Sequence, residues 1–400
     1  MKTLLEIVPL LWESSSIKMG SMHMIPVSRP WLENNELLEI EKVFKTNWLG
    51  MGSFVKDFED KVKNYLDTPY FISTNTGTDA LHLALEVLDL NFTDEVIVPS
   101  LTFVATIQAI LSAGGKPVFC DVNEDDLNVD IESIKRKITP RTKVILPVHY
   151  RGVPANMDEL LKIAKEKNIK IVEDAAHAFG SLYNYEGTKK KIGSFGDLTC
   201  FSFDPIKVIT CGEGGGISLR DESMYQKILR KRVLGINNDT WSRYGHERNW
   251  VYDVTDKGYR KHMSNICAAI GLKQLEKVEE FIAHRRKIGQ YYNQLLSHTD
   301  FAGKIKLLAN NFETTALFTY IIRVLDSKRD DLMGFLKKNN IGTGVHYIPN
   351  HLHSYFKNID SSDLQATNRV SEQILTLPLH MGVTMTDVEK IVDLLRRYFF

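Results

Sequence analysis

The 400-residue sequence is short of several features that would place it in a specialised class of protein. It contains only four cysteines, mostly inside apolar runs, and no CxxC pair or histidine cluster that would indicate a metal site. Reduced thiols of this kind are typical of a cytosolic protein, which is the location we predict. Lysine plus arginine and aspartate plus glutamate number 50 each, so charge favours neither nucleic acid nor an acidic membrane as a partner.

Long apolar segments are also missing. No run of about 18 apolar residues is present, so no membrane-spanning helix is predicted. Residues 1–24 are apolar in patches, but Glu6 and Pro9 interrupt them and no small-residue cleavage site follows, which makes them a poor signal peptide. We therefore predict that residues 1–24 form an N-terminal extension.

What the sequence does have is a regular alternation of short β-branched runs with helical patterns. Strands are predicted over residues 70–73, 95–98, 117–121, 142–148 and 170–173, and helices over residues 80–88, 104–113 and 157–167. This alternation predicts an α/β domain with a mainly parallel sheet, whose ligand binds outside the carboxyl ends of the strands.

A second, smaller α/β domain is predicted after Gly271. An amphipathic helix over residues 272–297 leads into a strand over 317–324 and helices over 330–339 and 387–398. We therefore predict a large domain over residues 25–271 and a small C-terminal domain over residues 272–400. A chain of this length is long enough for two such domains.

Lys207 is the strongest candidate for a chemical role. An apolar run over residues 198–203 delivers this lysine beside Ser202, and a glycine cluster over residues 212–216 follows. A lysine in such surroundings can be desolvated, which lowers its pKa and frees its amine to attack a carbonyl group. The alternative is a solvated surface charge, which is the usual state of a lysine.

A second candidate, Asp174, ends the predicted strand that contains Ile171 and is followed by small residues and His177. An aspartate at one strand end and a lysine at another suit pyridoxal phosphate (PLP). The lysine forms a Schiff base with the cofactor, and the aspartate pairs with the pyridinium nitrogen and keeps the ring protonated. The alternative is an aspartate that only caps the next helix.

Two further segments fit the same cofactor. A turn rich in hydroxyl groups around Gly77 and Thr78 opens a helix, and such a helix start binds anions through its free N–H groups. Ser202 can add a hydroxyl group to the same phosphate. Phe103 follows the predicted strand 95–98 and can stack on a flat ring. The alternatives are an ordinary helix cap for the turn and a core aromatic for Phe103.

Taken together, these segments resemble the DegT/DnrJ/StrS sugar aminotransferases, which have the aspartate aminotransferase fold. The resemblance extends from about Ile25 to the C-terminus. Its motifs stand in the family's order: Asn47-Trp48-Leu49-Gly50, Thr76-Gly77-Thr78, Thr102 to Thr106, Pro147 to Tyr150, Glu173 to Ala176, Ser202 to Lys207, Gly212 to Gly215, Met263-Ser264-Asn265, Ala268 to Gly271, His346 to Pro349 and Leu377 to His380. The resemblance implies a fold type I PLP enzyme.

The resemblance also implies individual roles. It makes Lys207 the Schiff-base lysine and Asp174 the partner of the ring nitrogen. The other implied cofactor contacts are Phe103 on the ring, Gly77, Thr78 and Ser202 on the phosphate, and His177 where many relatives have glutamine. Arg260 stands where relatives have an asparagine that reaches the phosphate of the neighbouring subunit's cofactor. A homodimer with shared active sites is therefore implied.

The implied function is transfer of an amino group, usually from glutamate, to a keto-sugar that we expect to be linked to a nucleotide. Such reactions serve cell-surface glycan or natural-product sugar biosynthesis. We expect substrate contacts at Trp48, His149, His346 and Tyr347, and also at Arg151 and in the segment 237–252. The alternative for the segment 237–252 is a dimer-contact loop. The alternatives are a transaminase of a keto-sugar acid, a non-catalytic PLP-binding regulator, and a sugar dehydratase. Lys207 argues against the dehydratase, because related dehydratases carry histidine at this position.

Overall fold

A computed structural model of the chain describes residues 24–236 and 252–400. The predicted extension over residues 1–24 therefore lies, except for Met24, outside the described residues. Within the described ranges, no helix is long and apolar enough to cross a membrane.

The first part of the chain alternates strands and helices. Its strands are β1 (Tyr70–Thr74), β2 (Glu95–Pro99), β3 (Lys116–Cys120), β4 (Thr142–Ile145), β5 (Lys170–Asp174), β6 (Leu182–Tyr185), β7 (Thr188–Lys191), β8 (Leu198–Ser202) and β9 (Gly215–Leu219). Its helices are α1 (Asn34–Lys45), α2 (Ser53–Leu66), α3 (Gly77–Glu86), α4 (Val104–Ser112), α5 (Ile131–Lys137), α6 (Met157–Lys167), α7 (Glu222–Arg232) and α8 (Asn265–Glu276). The predicted strands and helices of this region are all found, with ends shifted by a few residues.

Seven of these strands form one sheet in the order β1-β9-β8-β5-β4-β2-β3. Strand β9 runs antiparallel to both of its neighbours, and every other neighbouring pair is parallel. It follows that β1, β2, β5 and β8 all end at the same edge of the sheet. The predicted α/β fold with a mainly parallel sheet is confirmed.

Both faces of this sheet are covered by helices, which is why its central strands are apolar on both sides. On one face, Ile72 and Cys200 pack with residues of α3 and α4. On the other face, Phe71 and Phe201 pack with residues of α2 and α8. The alternation of side chains along β1 and β8 therefore divides the interior into two cores, with the sheet between them.

The C-terminal part forms a smaller unit around an antiparallel sheet in the order β10-β11-β12. Its elements are α9 (Val278–Leu296), β10 (Ile305–Leu307), β11 (Tyr320–Val324), α10 (Arg329–Lys338), α11 (Gln365–Ser371), β12 (Ile374–Leu377) and α12 (Met385–Phe399). All five residues of β11 are buried, and a separate hydrophobic cluster surrounds this sheet. The domain boundary after Gly271 stays a prediction, since α8 runs through that position.

The helix predicted over residues 272–297 is wrong, because two helices stand in its place. Helix α8 ends at Glu276 and α9 begins at Val278, with Lys277 between them at φ −105° and ψ 1°. The Nζ atom of Lys277 binds Glu36 at 2.5 Å and Glu33 at 3.1 Å, which ties the break to the start of α1. The apolar period continues through the break, so the sequence pattern did not reveal it.

We expect the substitution Gly271→Ala to destabilise the fold. A Cβ atom at this position would lie 2.5 Å from Sγ of Cys211 and 2.7 Å from the ring of Phe58, so α8 would have to move away from α2. Overpacking of this kind costs about 1–3 kcal/mol in free energy of unfolding. The shift of the urea midpoint measures it.

Gly334→Ala is the matched control, because nothing lies within 4 Å of a Cβ atom at this exposed position in α10. Replacing a helical glycine by alanine should stabilise the protein by roughly 0.5–1 kcal/mol. Equal urea midpoints for the two variants would contradict the close packing at Gly271.

Candidate active site

The candidate residues meet where strands end at one edge of the large sheet. Strand β1 leads into the turn before α3, and β2 leads into the turn before α4. Strand β5 ends at Asp174, and β8 ends at Ser202, from which the chain continues to Lys207. Since these four strands point in one direction, segments that are far apart in the sequence become neighbours.

Lys207 lies in a turn whose backbone N–H donates to the carbonyl oxygen of Asp204 at 3.1 Å. Its Nζ atom is 4.5 Å from the centre of the Phe318 ring, which belongs to the small unit. Burial lowers the pKa of Lys207 from 10.5 to about 8, while the carboxylates of Asp204 and Asp174 act in the opposite direction. The neutral amine, which can attack a carbonyl carbon, is therefore far more abundant near physiological pH than it is for an ordinary lysine.

Asp174 is 4% exposed and held in a defined orientation. Its Oδ2 atom accepts a hydrogen bond from the Thr106 hydroxyl at 2.7 Å, and Oδ1 accepts one from the N–H of Ala176 at 3.1 Å. Burial raises the pKa of Asp174, while these two hydrogen bonds and the positive charge of Lys207 act to lower it. A buried, oriented carboxylate of this kind suits a cationic ring nitrogen.

The start of α3 forms a cradle for an anion. Thr76 caps the helix, with its hydroxyl oxygen accepting from the N–H of Asp79 at 3.0 Å. The next two residues, Gly77 and Thr78, belong to the first turn, whose N–H groups have no acceptor within the helix. The Thr78 side chain is exposed. Free N–H groups at the positive end of a helix suit a phosphate group.

Glycine is needed in this cradle because separate segments of the chain approach each other closely. A Cβ atom on Gly77 would lie 2.7 Å from Cβ of Ser202 and 2.9 Å from its hydroxyl oxygen. A Cβ atom on Gly215 would lie 2.3 Å from the carbonyl oxygen of Thr76. The Ser202 hydroxyl therefore lies directly beside the helix start, and the residues present fit the phosphate group of PLP.

Aromatic rings complete the site. Phe103 precedes α4 and is 53% exposed, and its ring centre lies 5.4 Å from that of Tyr347. His177 is buried, stacks on Phe318 at 4.3 Å, and shares a hydrogen bond of 3.0 Å between Nε2 and the Tyr347 hydroxyl. Its Nδ1 atom is buried without a hydrogen-bond partner, which leaves it available to a polar group of a ligand. Burial and the nearby Lys207 hold the pKa of His177 well below its usual value, so the ring is neutral.

His346 and Tyr347 come to the site from the C-terminal unit. The Nδ1 atom of His346 lies 2.8 Å from the hydroxyl oxygen of Thr376 on β12. Burial, and secondarily the charge of Lys207, lower the pKa of His346 to about 4. His346 is therefore a neutral hydrogen-bonding group beside the lysine. The structure brings both of these predicted residues together with Lys207 and His177.

The structure does not bring His149 to the site, which corrects the substrate contact predicted for it. Its side chain is fully buried. Nδ1 accepts from the N–H of Ala155 at 3.0 Å, so Nε2 carries the proton and donates to Glu173 at 2.8 Å. Glu173 precedes Asp174 in β5, and successive side chains of a strand point to opposite faces. His149 therefore follows Glu173 to the face opposite Asp174.

Of the other predicted substrate contacts, Arg151 lies away from the site, and the segment 237–252 falls almost entirely outside the described residues. Arg151 is buried and donates to Asn310 Oδ1 at 2.8 Å and to the carbonyl oxygen of Ala309 at 3.1 Å, so it fastens the two units together. In the segment 237–252, every residue except Tyr252 is outside the described ranges. Trp48 lies before α2, where its Nε1 atom donates to the carbonyl oxygen of Met51 at 2.9 Å. Its substrate role stays a prediction.

Arg260 is exposed and makes no ion pair with a described residue. The adjacent Lys261 is bound firmly to the region of the phosphate cradle. Its Nζ atom lies 2.6 Å from Asp79 Oδ1, and its carbonyl oxygen accepts from the N–H of Asn75 at 3.0 Å. The segment that carries Arg260 is therefore held beside the start of α3, and among the described residues the Arg260 guanidinium has no ion-pair partner.

Sequence reasoning missed two residues of the site. Phe318 lies against both Lys207 and His177, yet its position before β11 gives no sign of this role. Thr106 binds Asp174 directly. The sequence did contain an indication of this role, because Thr102 and Thr106 place two hydroxyl groups four residues apart around the start of a helix.

Comparison with known proteins identifies the family of this chain. Residues 30–396 match the model of the DegT/DnrJ/EryC1/StrS aminotransferase family. The protein MJ1066 of Methanocaldococcus jannaschii is 37% identical over 378 residues, which cover 93% of this chain and 97% of that protein. The spore coat polysaccharide biosynthesis protein SpsC of Bacillus subtilis is 32% identical over 382 residues, covering 94% of this chain and 97% of SpsC.

A solved structure extends the likeness to the fold. Spr1654 from Streptococcus pneumoniae, a proposed sugar aminotransferase, has a TM-score of 0.86 at 30% identity, with 94% of this chain and 99% of that chain covered. It has been solved in PLP and PMP forms. The resemblance inferred from the motifs is thus confirmed: the chain belongs to the DegT/DnrJ/EryC1/StrS aminotransferase family and is a PLP-dependent aminotransferase of fold type I.

Proposed function

We propose that this enzyme transfers an amino group from glutamate to a keto-sugar linked to a nucleotide, with Lys207 and Asp174 as its catalytic residues. The observation that carries the proposal is the buried Lys207 amine, with its pKa lowered to about 8, in one site with the oriented carboxylate of Asp174. The sugar substrate is supported by Spr1654 and by SpsC, which is described as a polysaccharide biosynthesis protein.

When bound, PLP supplies an electrophilic carbon and a ring that accepts the electron pair released at the donor's Cα atom. Lys207 is the base that takes the proton from this Cα atom, because its neutral amine is available near physiological pH. The ionised Asp174 keeps a proton on the ring nitrogen. The start of α3 and the Ser202 hydroxyl would hold the phosphate, and Phe103 and His177 would orient the ring.

The neutral state of His346 and His177 suits a sugar substrate. Charged imidazoles beside Lys207 would repel its protonated form, whereas neutral rings can donate or accept hydrogen bonds with hydroxyl groups. In His346, Thr376 occupies Nδ1 and leaves Nε2 for the substrate. The Tyr347 hydroxyl already binds His177, so it can place a substrate hydroxyl relative to the cofactor ring.

Two half-reactions test the proposed function. With glutamate, the holoenzyme should lose its yellow colour and release one equivalent of 2-oxoglutarate, and then aminate a nucleotide-linked keto-sugar. The Lys207→Ala variant should keep its fold, by circular dichroism, but complete neither half-reaction. The proposal would be contradicted if a free keto-sugar acid were aminated faster than a nucleotide-linked keto-sugar. Turnover by Lys207→Ala near the wild-type rate would also contradict it.

The substitution Asp174→Asn should slow the half-reaction with glutamate by about a hundredfold or more, because an amide cannot neutralise the ring cation. Cofactor should still bind through its phosphate group and Lys207. Stopped-flow absorbance gives the rate, and the PLP content gives the occupancy. Asp89→Asn is the control, since it removes only a surface ion pair with Lys227 and should leave the rate unchanged. An unchanged rate in Asp174→Asn would assign the ring proton to another group.

We further propose a homodimer in which Arg260 of one subunit binds the PLP phosphate of the other. The support for this arrangement is an exposed Arg260 guanidinium that makes no ion pair with a described residue, and an arginine can bind phosphate with two hydrogen bonds. Arg260→Ala should raise the dissociation constant for PLP roughly tenfold, the range expected for one hydrogen bond to a charged group. Arg136→Ala, an exposed arginine on α5, is the control.

Mixed dimers test whether the site is shared. A dimer of one Arg260→Ala chain and one Lys207→Ala chain should have one intact site and one site without both groups. In the mixed dimers, about half of the sites should therefore regain activity and tight PLP binding. The arrangement would be excluded if mixed dimers had no more activity and retained PLP no better than the Arg260→Ala parent. A fully active monomer in sedimentation would also exclude it.

A further inference from the structure

The carboxylate of Asp174 is the end of a chain of buried hydroxyl groups. Thr106 Oγ1 lies 2.7 Å from Asp174 Oδ2, and Thr102 Oγ1 lies 2.9 Å from Thr106 Oγ1. Both threonines are almost completely buried, so water does not replace these bonds. Phe103 lies between them in the sequence and is exposed at the site. In this motif the aromatic ring therefore faces the site, while the two threonine hydroxyls lead to Asp174.

The direction of these hydrogen bonds depends on the charge of Asp174. An ionised carboxylate only accepts, so the Thr106 hydroxyl must donate to it. The Thr106 oxygen is then the acceptor for the Thr102 hydroxyl, and both hydroxyl dipoles point toward Asp174. Hydrogen bonds to the charged form of a carboxylate favour that form over the protonated one.

We propose that Thr106, supported by Thr102, is a positioning residue that keeps Asp174 ionised and oriented toward the ring nitrogen of PLP. This proposal rests on the proposed role of Asp174. The Thr106 hydroxyl engages Oδ2 and the Ala176 N–H engages Oδ1, so the carboxylate plane is fixed from two sides. Burial alone would favour the protonated, uncharged acid, which could not balance the charge of a protonated ring.

The turn that carries Thr102 is itself held from the small unit. The side-chain amide of Asn350 donates to the carbonyl oxygens of Thr102 at 2.8 Å and Ser100 at 3.0 Å. Asn350 is fully buried and lies three residues after Tyr347. The chain of hydroxyl groups is therefore held at both ends. It begins at the contact between the two units and ends at the Asp174 carboxylate.

The test compares Thr106→Val, which keeps the shape but removes the hydroxyl, with Thr106→Ser, which keeps the hydroxyl. Each holoenzyme is prepared with PLP that carries ¹⁵N in its ring, and the ring-nitrogen signal is read by solid-state NMR. In Thr106→Val the signal should move toward the unprotonated position, and the half-reaction with glutamate should slow about tenfold or more. Thr106→Ser should keep the wild-type signal and stay within about threefold of the wild-type rate.

Thr367→Val is the matched control, because Thr367 also donates from a buried hydroxyl to an aspartate, Asp121, at 2.6 Å, but at the end of β3. It should change neither the signal nor the rate. If Thr106→Val does not fold, the ring-nitrogen signal is measured in Thr102→Val instead. We expect it to move in the same direction by a smaller amount. An unshifted ring signal in the folded valine variant overturns the proposal, as does a Thr106→Ser variant as impaired as Thr106→Val.

The reference variant Asp174→Asn separates this proposal from the proposed function. If its ring-nitrogen signal stays at the wild-type position, the role of Asp174 itself is wrong. If its signal moves but that of Thr106→Val does not, only the role of Thr106 is wrong.

Discussion

The close approach of α3 to β8 is the contact on which the rest of the site depends. Gly77 lies against Ser202, and Gly215 lies against the carbonyl oxygen of Thr76, at distances that no side chain would allow. This contact places the positive end of a helix beside a hydroxyl group and a short distance along the chain from Lys207. It requires β1, β9 and β8 to be neighbours, although β1 is distant from the other two in sequence. The sheet order is therefore a precondition of cofactor binding.

Burial favours the uncharged form of both catalytic groups, which makes Lys207 reactive but works against the charge that Asp174 needs. For Lys207, burial favours the neutral amine, which is the reactive form, and no hydrogen bond within the described residues opposes it. For Asp174, burial favours the inactive acid, and hydroxyl and N–H donors counter it. One edge of the sheet thus combines an amine whose pKa is lowered by burial with a carboxylate whose hydrogen-bond donors act against the rise in its pKa.

Much of this could be predicted from the sequence, since strand ends, a lone lysine, an aspartate and a glycine-containing turn are local signals. His149 could not be placed correctly, because the side of the sheet it occupies depends on Glu173, its partner on the neighbouring strand. Phe318 could not be found, because only the docking of the two units brings it to Lys207. The break at Lys277 was also hidden, since Glu33 and Glu36, which bind this lysine, lie far away in the sequence.

The Asn350 contact has a consequence for how the protein matures. A chain that has emerged only as far as β9 contains all seven strands of the large sheet, but the turn around Thr102 then lacks the amide that holds it, and His177 lacks Tyr347. The complete active site is therefore expected late in synthesis, after the C-terminal unit has docked. A cofactor that binds the docked arrangement more tightly than the undocked one shifts the equilibrium toward docking by mass action.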